Sequence, residues 1–192
     1  MTRVIMLNAP PMSGKDTAAD YLPSMLEHTE HICLKDGLFD EIVKHYNIDY
    51  NTFFSLYADR STKELPSKLL DGLSPRAVMC YVSENICKAQ NGRDYFALRL
   101  CKKICSQAAI VVSDCGFAEE VATIIAAVEP ENVLLIRIER AGCTFNGDSR
   151  NWVYGMACDS ITLDNNDTVD DFREHLMSTV TSHFPELKSL EL

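Results

Sequence analysis

The chain has 192 residues, 46% of them hydrophobic and 24% charged, which is enough for one core of ordinary size carrying insertions. Eight glycines and seven prolines leave no low-complexity segment, and no apolar run approaches the roughly 18 residues a membrane-spanning helix needs; disorder and membrane insertion are both disfavoured. A net charge of −10 argues against a broad phosphate-tracking surface for nucleic acid, so a phosphate site must concentrate its Lys and Arg locally.

The apolar stretch Val4-Ile5-Met6-Leu7 is too short for the core of a signal peptide, so the chain is expected to stay in the cytoplasm. Eight cysteines are scattered at Cys33, Cys80, Cys87, Cys101, Cys105, Cys115, Cys143 and Cys158 with no Cys-x-x-Cys pair, and most lie in apolar runs. That pattern reads as small core residues in a reducing compartment. Cys101 and Cys105 share a helical face, but no His or Cys pair stands nearby to complete a zinc site.

In chain order, the segment from Arg3 to Asn8 carries the uninterrupted apolar run Val4-Ile5-Met6-Leu7, as expected of a central parallel strand covered on both faces. A tight loop follows over 9–14, then a helix from Lys15 that Pro23 should kink or shorten, because proline lacks the N–H owed to the carbonyl of Ala19. Residues 31–35 read as a second strand and 37–58 as one aromatic-rich helix. Ser74-Pro75-Arg76 starts another helix, with Ser as N-cap and Pro in the first position; Val78, Tyr81, Val82, Ile86 and Ala89 mark its apolar face, and Asn91-Gly92 ends it. A helix over 93–106 leads to a strand over 108–114 that finishes in Asp114. A helix over 117–128, a strand over 133–139, a glycine-bounded loop over 142–147, a short strand over 160–163 and a helix over 168–183 complete the chain. Strands alternating with helices predict an α/β fold with a parallel sheet and right-handed crossovers.

The chemistry concentrates in the first loop. Ser13-Gly14-Lys15-Asp16-Thr17 stands at a helix N-terminus, where successive backbone N–H groups and the helix dipole favour an anion and a lysine reaches the β- and γ-phosphates of a nucleotide. Ala9 replaces the first glycine of the G-x-x-x-x-G-K-[ST] pattern, Asp16 stands at its hydroxyl position with Thr17 next to it, and Pro10 and Pro11 donate nothing; the cradle's donors come from Met12 through Thr17.

The segment from Ala9 to Thr17 resembles the P-loop of nucleoside monophosphate kinases, and its Gly-Lys-Asp-Thr form with Asp20 one turn on is similar to the deoxynucleoside monophosphate kinases of the bacteriophage type. Three further segments fit in the same order across nearly the whole chain: 59–64 with 74–76, 113–117 with Glu120, and 140–142 with 147–150. The resemblance implies a three-layer P-loop NTPase fold with a central parallel β-sheet in a single domain. Its core is expected over about 1–35, 93–139 and 156–192, a helical acceptor-binding insertion over about 36–92, and a short lid over about 140–155. It also implies a cytoplasmic enzyme, in the host's cytoplasm if the chain is of bacteriophage origin, that transfers the γ-phosphoryl group of ATP to a deoxynucleoside 5′-monophosphate with Mg²⁺.

Phosphoryl transfer asks a protein for alignment, a metal and cations rather than covalent chemistry. On this reading Met12, Ser13, Gly14, Lys15, Asp16 and Thr17 hold the donor, and Lys15, Arg140 and Arg150 stabilise the migrating group. Thr17 and Asp114 serve the metal, with capping of the following helix as the other reading of Asp114. Arg76, Lys63, Arg60, Asp36 and Asp94 meet the acceptor; a surface pairing with Glu64 is the alternative for Arg60 and Lys63. Asp148 either orients Arg150 by ion pairing or begins a helix, and Phe39, Phe53, Phe54, Tyr57 and Tyr95 either frame a base or fill the core. The five histidines lie outside every motif and read as surface or packing residues.

The acidic chain disfavours nucleic acid as a partner, and the sequence is compatible with a homodimer without specifying one. Two rival readings keep the loop: a kinase acting on another acceptor such as a hydroxymethylated base, with Asp36 or Asp59 as base, and a nucleotide-binding protein without turnover.

Overall fold

The computed structural model describes residues 2–59, 61–104, 109–187 and 189–190. In chain order the elements are β1 (Arg3–Asn8), α1 (Lys15–Met25), β2 (Thr29–Ile32), α2 (Leu34–Tyr46), α3 (Tyr50–Ala58), α4 (75–91), α5 (Tyr95–Cys101), β3 (Ala109–Val112), α6 (Ala118–Val128), β4 (Val133–Glu139), β5 (Asp159–Asp164) and α7 (Val169–His183). The chain divides into two compact units, Met1–Cys33 with Leu100–Leu192, and Leu34–Arg99.

The first unit is built on a five-stranded sheet in the order β2-β3-β1-β4-β5, every pairing parallel. The register sets Val4 of β1 beside Ile110 of β3 and Val133 of β4. Ile5 and Leu7 point to one face, into a core with Ala18, Ala19 and Leu22 of α1 and with Phe172, Leu176 and Val180 of α7. Those α7 residues recur every four positions, the stripe by which a helix covers a sheet. On the opposite face Val4, Met6, Ile110, Val112 and Leu135 are equally buried, so the apolar runs of β1, β3 and β4 do not alternate with polar residues because neither face meets water. The connection leaving β1 leads to β2 on one side of the sheet, while that leaving β4 leads to β5 on the other. The carboxyl end of β1 is therefore where the strand order reverses, the position at which open α/β sheets bind ligands.

The second unit is helical. Phe39 of α2 sits edge-on against Phe53 (5.2 Å between centroids) and Tyr57 (5.0 Å) of α3. Tyr95 of α5 donates its hydroxyl to Glu41 Oε1 (3.0 Å), and Arg99 pairs with Asp40 (3.1 Å) and Glu41. Burial pushes the Tyr95 hydroxyl up, as does its bond to Glu41.

α1 ends at Met25, two residues past Pro23. Several other sequence expectations are corrected. The second strand lies at Thr29–Ile32 rather than 31–35, because Leu34 already opens α2. The single helix expected over 37–58 is two: Asn47 turns left-handed (φ 51°), and Asp49 then caps α3 by accepting from Thr52 N (2.9 Å). The helix expected to reach 106 ends at Cys101, and β3 ends at Val112, so Asp114 lies two residues beyond its strand. α4 begins as expected, with Ser74 accepting from Ala77 N (3.2 Å), but its middle, Val82–Lys88, is a π-helix between Pro75–Tyr81 and Ala89–Asn91. Val78 and Val82 are buried as expected and Ile86 is half-buried, but across the wider turns Tyr81 and Ala89 are exposed while Ser83 and Cys87 are buried.

Candidate functional site

At the end of β1 the chain enters the loop through Ala9 and Pro10, both buried. Ser13 is fully buried and donates its hydroxyl to the carbonyl of Pro10 (2.8 Å), which closes the loop on itself. The left-handed backbone falls at Met12 (φ 67°) and Gly14 (φ 100°), not at Ala9, so the Cβ of Ala9 is tolerated where the pattern's first glycine would stand. Gly14 is the N-cap of α1 and offers no side chain to its first turn. A Cβ at Gly14 would lie 2.2 Å from Asn165 Nδ2, the same nitrogen that donates to the carbonyl of Ser13 (2.8 Å). Lys15 opens α1 with its side chain only 13% exposed and its Nζ 2.6 Å from Asp16 Oδ1, while the Asp16 side chain is 86% exposed. Thr17 is partly buried in the same turn.

The neighbouring loop runs from Ser113 to Phe117. Phe117 is the N-cap of α6 and caps nothing with its side chain; Asp114 does not occupy the cap position. Cys115 is wholly buried: desolvation, then the charges of Asp114, Glu120 and Cys33, push its thiol well up, and Lys15 acts in the opposite sense. Arg150 lies across Gly116, where an added Cβ would come within 2.5 Å of Arg150 Cβ, and Asn151 N donates to the Gly116 carbonyl (3.1 Å). Asp148 holds Arg150 by both carboxylate oxygens, to Nε (3.0 Å) and Nη2 (2.6 Å), so the ion-pairing reading of Asp148 is the one the geometry shows. Arg140, at the end of β4, is exposed, and its carbonyl accepts from Cys143 N (3.0 Å) in a turn. Arg137 is buried on β4, bonded to Thr162 Oγ1 (3.1 Å), Ser160 Oγ (3.2 Å) and the Val153 carbonyl (3.1 Å).

The remaining residues named from the sequence lie in the second unit. Arg76 pairs with Glu64 (2.7 Å, both more than half exposed), and its backbone N–H donates to the Lys63 carbonyl (3.2 Å). Lys63 Nζ stands 3.9 Å over the ring of Tyr57. These contacts bring Lys63, Glu64 and Arg76 into one cluster, with Arg76 rather than Lys63 as the partner of Glu64. Arg60 lies outside the described residues. Asp59 accepts from the backbone and hydroxyl of Ser61 (2.8 and 2.7 Å), bonds that hold its carboxyl below the usual range. Asp36 is in the first turn of α2, and Asp94 precedes α5. Phe39 and Phe53 are core residues, not base-framing ones, whereas Phe54 is exposed.

Sequence reasoning did not find Asn8, Asn165 or His31. Asn8 is completely buried; its Nδ2 donates to the carbonyls of Cys115 (2.9 Å) and Asn151 (3.0 Å), and its Oδ1 accepts from Val153 N (3.0 Å). The available signal was an amide ending an otherwise apolar strand, a group that must find partners when buried. His31, which the sequence reads as a surface or packing residue, has its Nε2 2.7 Å from the hydroxyl of Ser113. Among the described residues no group of three or more His, Cys, Asp or Glu side chains is arranged to hold a metal ion, so the oxygen donors named for one remain Thr17 and Asp114. No helix among them is long and apolar enough to cross a membrane.

The fold is α/β, a five-stranded all-parallel sheet with flanking helices. No protein-family model matches the chain, and no curated protein matches it.

Proposed function

We propose that this chain is a P-loop kinase similar to the deoxynucleoside monophosphate kinases, moving the γ-phosphoryl group of ATP to a deoxynucleoside 5′-monophosphate. The observation that supports this most is the loop after β1. A left-handed Gly14 opens α1 and a largely buried Lys15 follows it, at the point where the strand order reverses, and Asp114 lies just past the end of the neighbouring strand β3.

The residues present suit a polyphosphate. Lys15 exchanges its exposed partner Asp16 for phosphate oxygens, a small loss because an ion pair whose carboxylate is solvated is worth little. Mg²⁺, when bound, supplies charge neutralisation between the phosphates, with Thr17 and Asp114 as its protein oxygens. Arg150, already oriented by Asp148, and Arg140 on the exposed turn meet the charge that develops on the migrating group. Arg76 and Lys63 take the phosphate of the acceptor, Arg76 leaving Glu64 to do so. The acceptor phosphate is already ionised at neutral pH, so no general base is required.

The test is ADP release from ATP and Mg²⁺ against a panel of deoxynucleoside and ribonucleoside monophosphates. Turnover with one or a few deoxynucleotides is expected, falling by about 10²–10³-fold or more in Lys15→Ala, the size of effect seen when one charge-stabilising donor is removed. Failure of every monophosphate to react while ATP still binds would overturn the proposal and direct attention to hydroxyl acceptors.

A further inference from the structure

At the carboxyl ends of β2 and β3 three side chains form a closed triangle that the kinase reading does not use. His31 Nε2 lies 2.7 Å from Ser113 Oγ, Cys33 Sγ lies 3.4 Å from the same Nε2, and Cys33 Sγ lies 3.3 Å from Ser113 Oγ. Ser113 is buried, whereas Cys33 and His31 are partly exposed, so the cluster is not closed off from solvent. The other described cysteines differ. The thiols of Cys87, Cys101 and Cys158 are pushed up chiefly by burial, Cys115 still more so, while Cys80 is exposed and Cys143 partly exposed, neither hydrogen-bonded to an imidazole.

We propose that Cys33 is a reactive thiol, activated by His31 and Ser113, and a site of oxidation by peroxides. His31 Nε2 accepts the thiol proton, and the resulting thiolate then receives two hydrogen bonds, from the imidazolium N–H and from the Ser113 hydroxyl. An imidazole beside a thiol is the arrangement that raises its thiolate fraction, and a partly exposed thiolate is what a peroxide attacks. The sulfur adds to one peroxide oxygen: an S–O bond forms, the O–O bond breaks, and sulfur gives up an electron pair to the peroxide. The departing hydroxide or alkoxide takes the proton from His31 and leaves as water or alcohol. Cys33 is left as a sulfenic acid, which a small thiol returns to the thiol by way of a mixed disulfide.

The experiment compares Cys33 with Cys80 within the same folded chain, reading iodoacetamide labelling by peptide mass spectrometry at neutral pH. Cys33 should label about tenfold faster than the more exposed Cys80, and the ratio should collapse toward about one in urea, where only intrinsic thiol reactivity remains. His31→Gln should slow Cys33 by about tenfold and leave Cys80 unchanged, with Ser113→Ala giving a smaller loss. Hydrogen peroxide followed by dimedone should place an adduct on Cys33, and Cys33→Ser should carry none at that peptide. Equal or slower labelling of Cys33 in the folded wild-type chain would overturn the proposal without any variant needing to fold, as would a folded His31→Gln chain whose Cys33 reacts at the wild-type rate.

Discussion

Asn8 and Arg137 are register partners on β1 and β4, and together they hold one residue of the distant loop by both of its backbone groups. Asn8 Oδ1 accepts the N–H of Val153 (3.0 Å), and Arg137 Nη1 donates to its carbonyl (3.1 Å). With its remaining donors Asn8 reaches Cys115 and Asn151, so the carboxyl end of β1 fixes both the 113–117 loop and the segment that carries Arg150. Replacing Asn8 by Ala takes the side-chain partner from the buried Cys115 carbonyl and Val153 N–H and from the part-buried Asn151 carbonyl, at about 1–3 kcal/mol for each buried group left unsatisfied. The expected outcome is a loss of about 3 kcal/mol or more in urea unfolding with little change in slope. Asn8→Asp keeps an acceptor for Val153 but removes both donors and buries a charge; it should be no milder.

Gly14 is required twice over, by its left-handed backbone and by the space Asn165 occupies. Gly14→Ala should lower stability by about 1–3 kcal/mol through strain and collision. In a double-mutant cycle Asn165→Ala should recover only part of that loss, because removing the amide clears the 2.2 Å contact and leaves φ unchanged. Full recovery would mean that the collision alone made glycine necessary.

What the sequence discloses depends on the range of the interaction that decides it. The strand over 3–8 and the helix starting at Lys15 follow from apolar run and loop chemistry within a few residues, as do the Ser74 cap and the helix over 169–183. Pro23 lies within half a turn of the helix end, whereas the break at Asn47 is hidden because a left-handed Asn looks like any polar residue between two aromatic runs. The widened turns of α4 leave no compositional mark. The contacts that shape the candidate site join Asn8 to Val153, Ser13 to Asn165 and Gly116 to Arg150; each partner is separated by tens of residues or more, and no local pattern encodes them.

Gly116 has its small size for the sake of Arg150. A methyl group there would lie 2.5 to 2.8 Å from the Cβ, Cγ and Cδ of Arg150 and must displace it. Gly116→Ala should therefore reproduce most of the effect of Arg150→Ala on turnover, about 10²-fold in kcat if Arg150 stabilises the migrating group. Asp148→Asn, which removes the charge that aligns the guanidinium, should cost less, about tenfold. Steady-state kinetics on all three variants gives the comparison, and Gly116→Ala retaining wild-type kcat would separate Arg150 from the chemistry.

The start of α7 supplies a pH dependence whose sign is fixed by geometry. Thr168 and Asp171 form a reciprocal cap: the Thr168 hydroxyl (2.5 Å) and backbone N–H (3.3 Å) donate to Asp171 Oδ2, and Asp171 N donates to Thr168 Oγ1 (3.2 Å). The side-chain bond from Thr168, followed by the backbone bond, holds the Asp171 carboxyl below the usual range. A carboxyl whose pKa is lower folded than unfolded adds stability above its unfolded value, near about 3.9, and that stability is lost as pH falls through the folded value. Thermal midpoints of the wild type and Asp171→Asn should therefore differ most near neutrality and converge below about pH 4, where the wild-type carboxyl takes up its proton. A difference that held constant or widened toward acid would show that Asp171 acts through the shape of the cap and not through its charge.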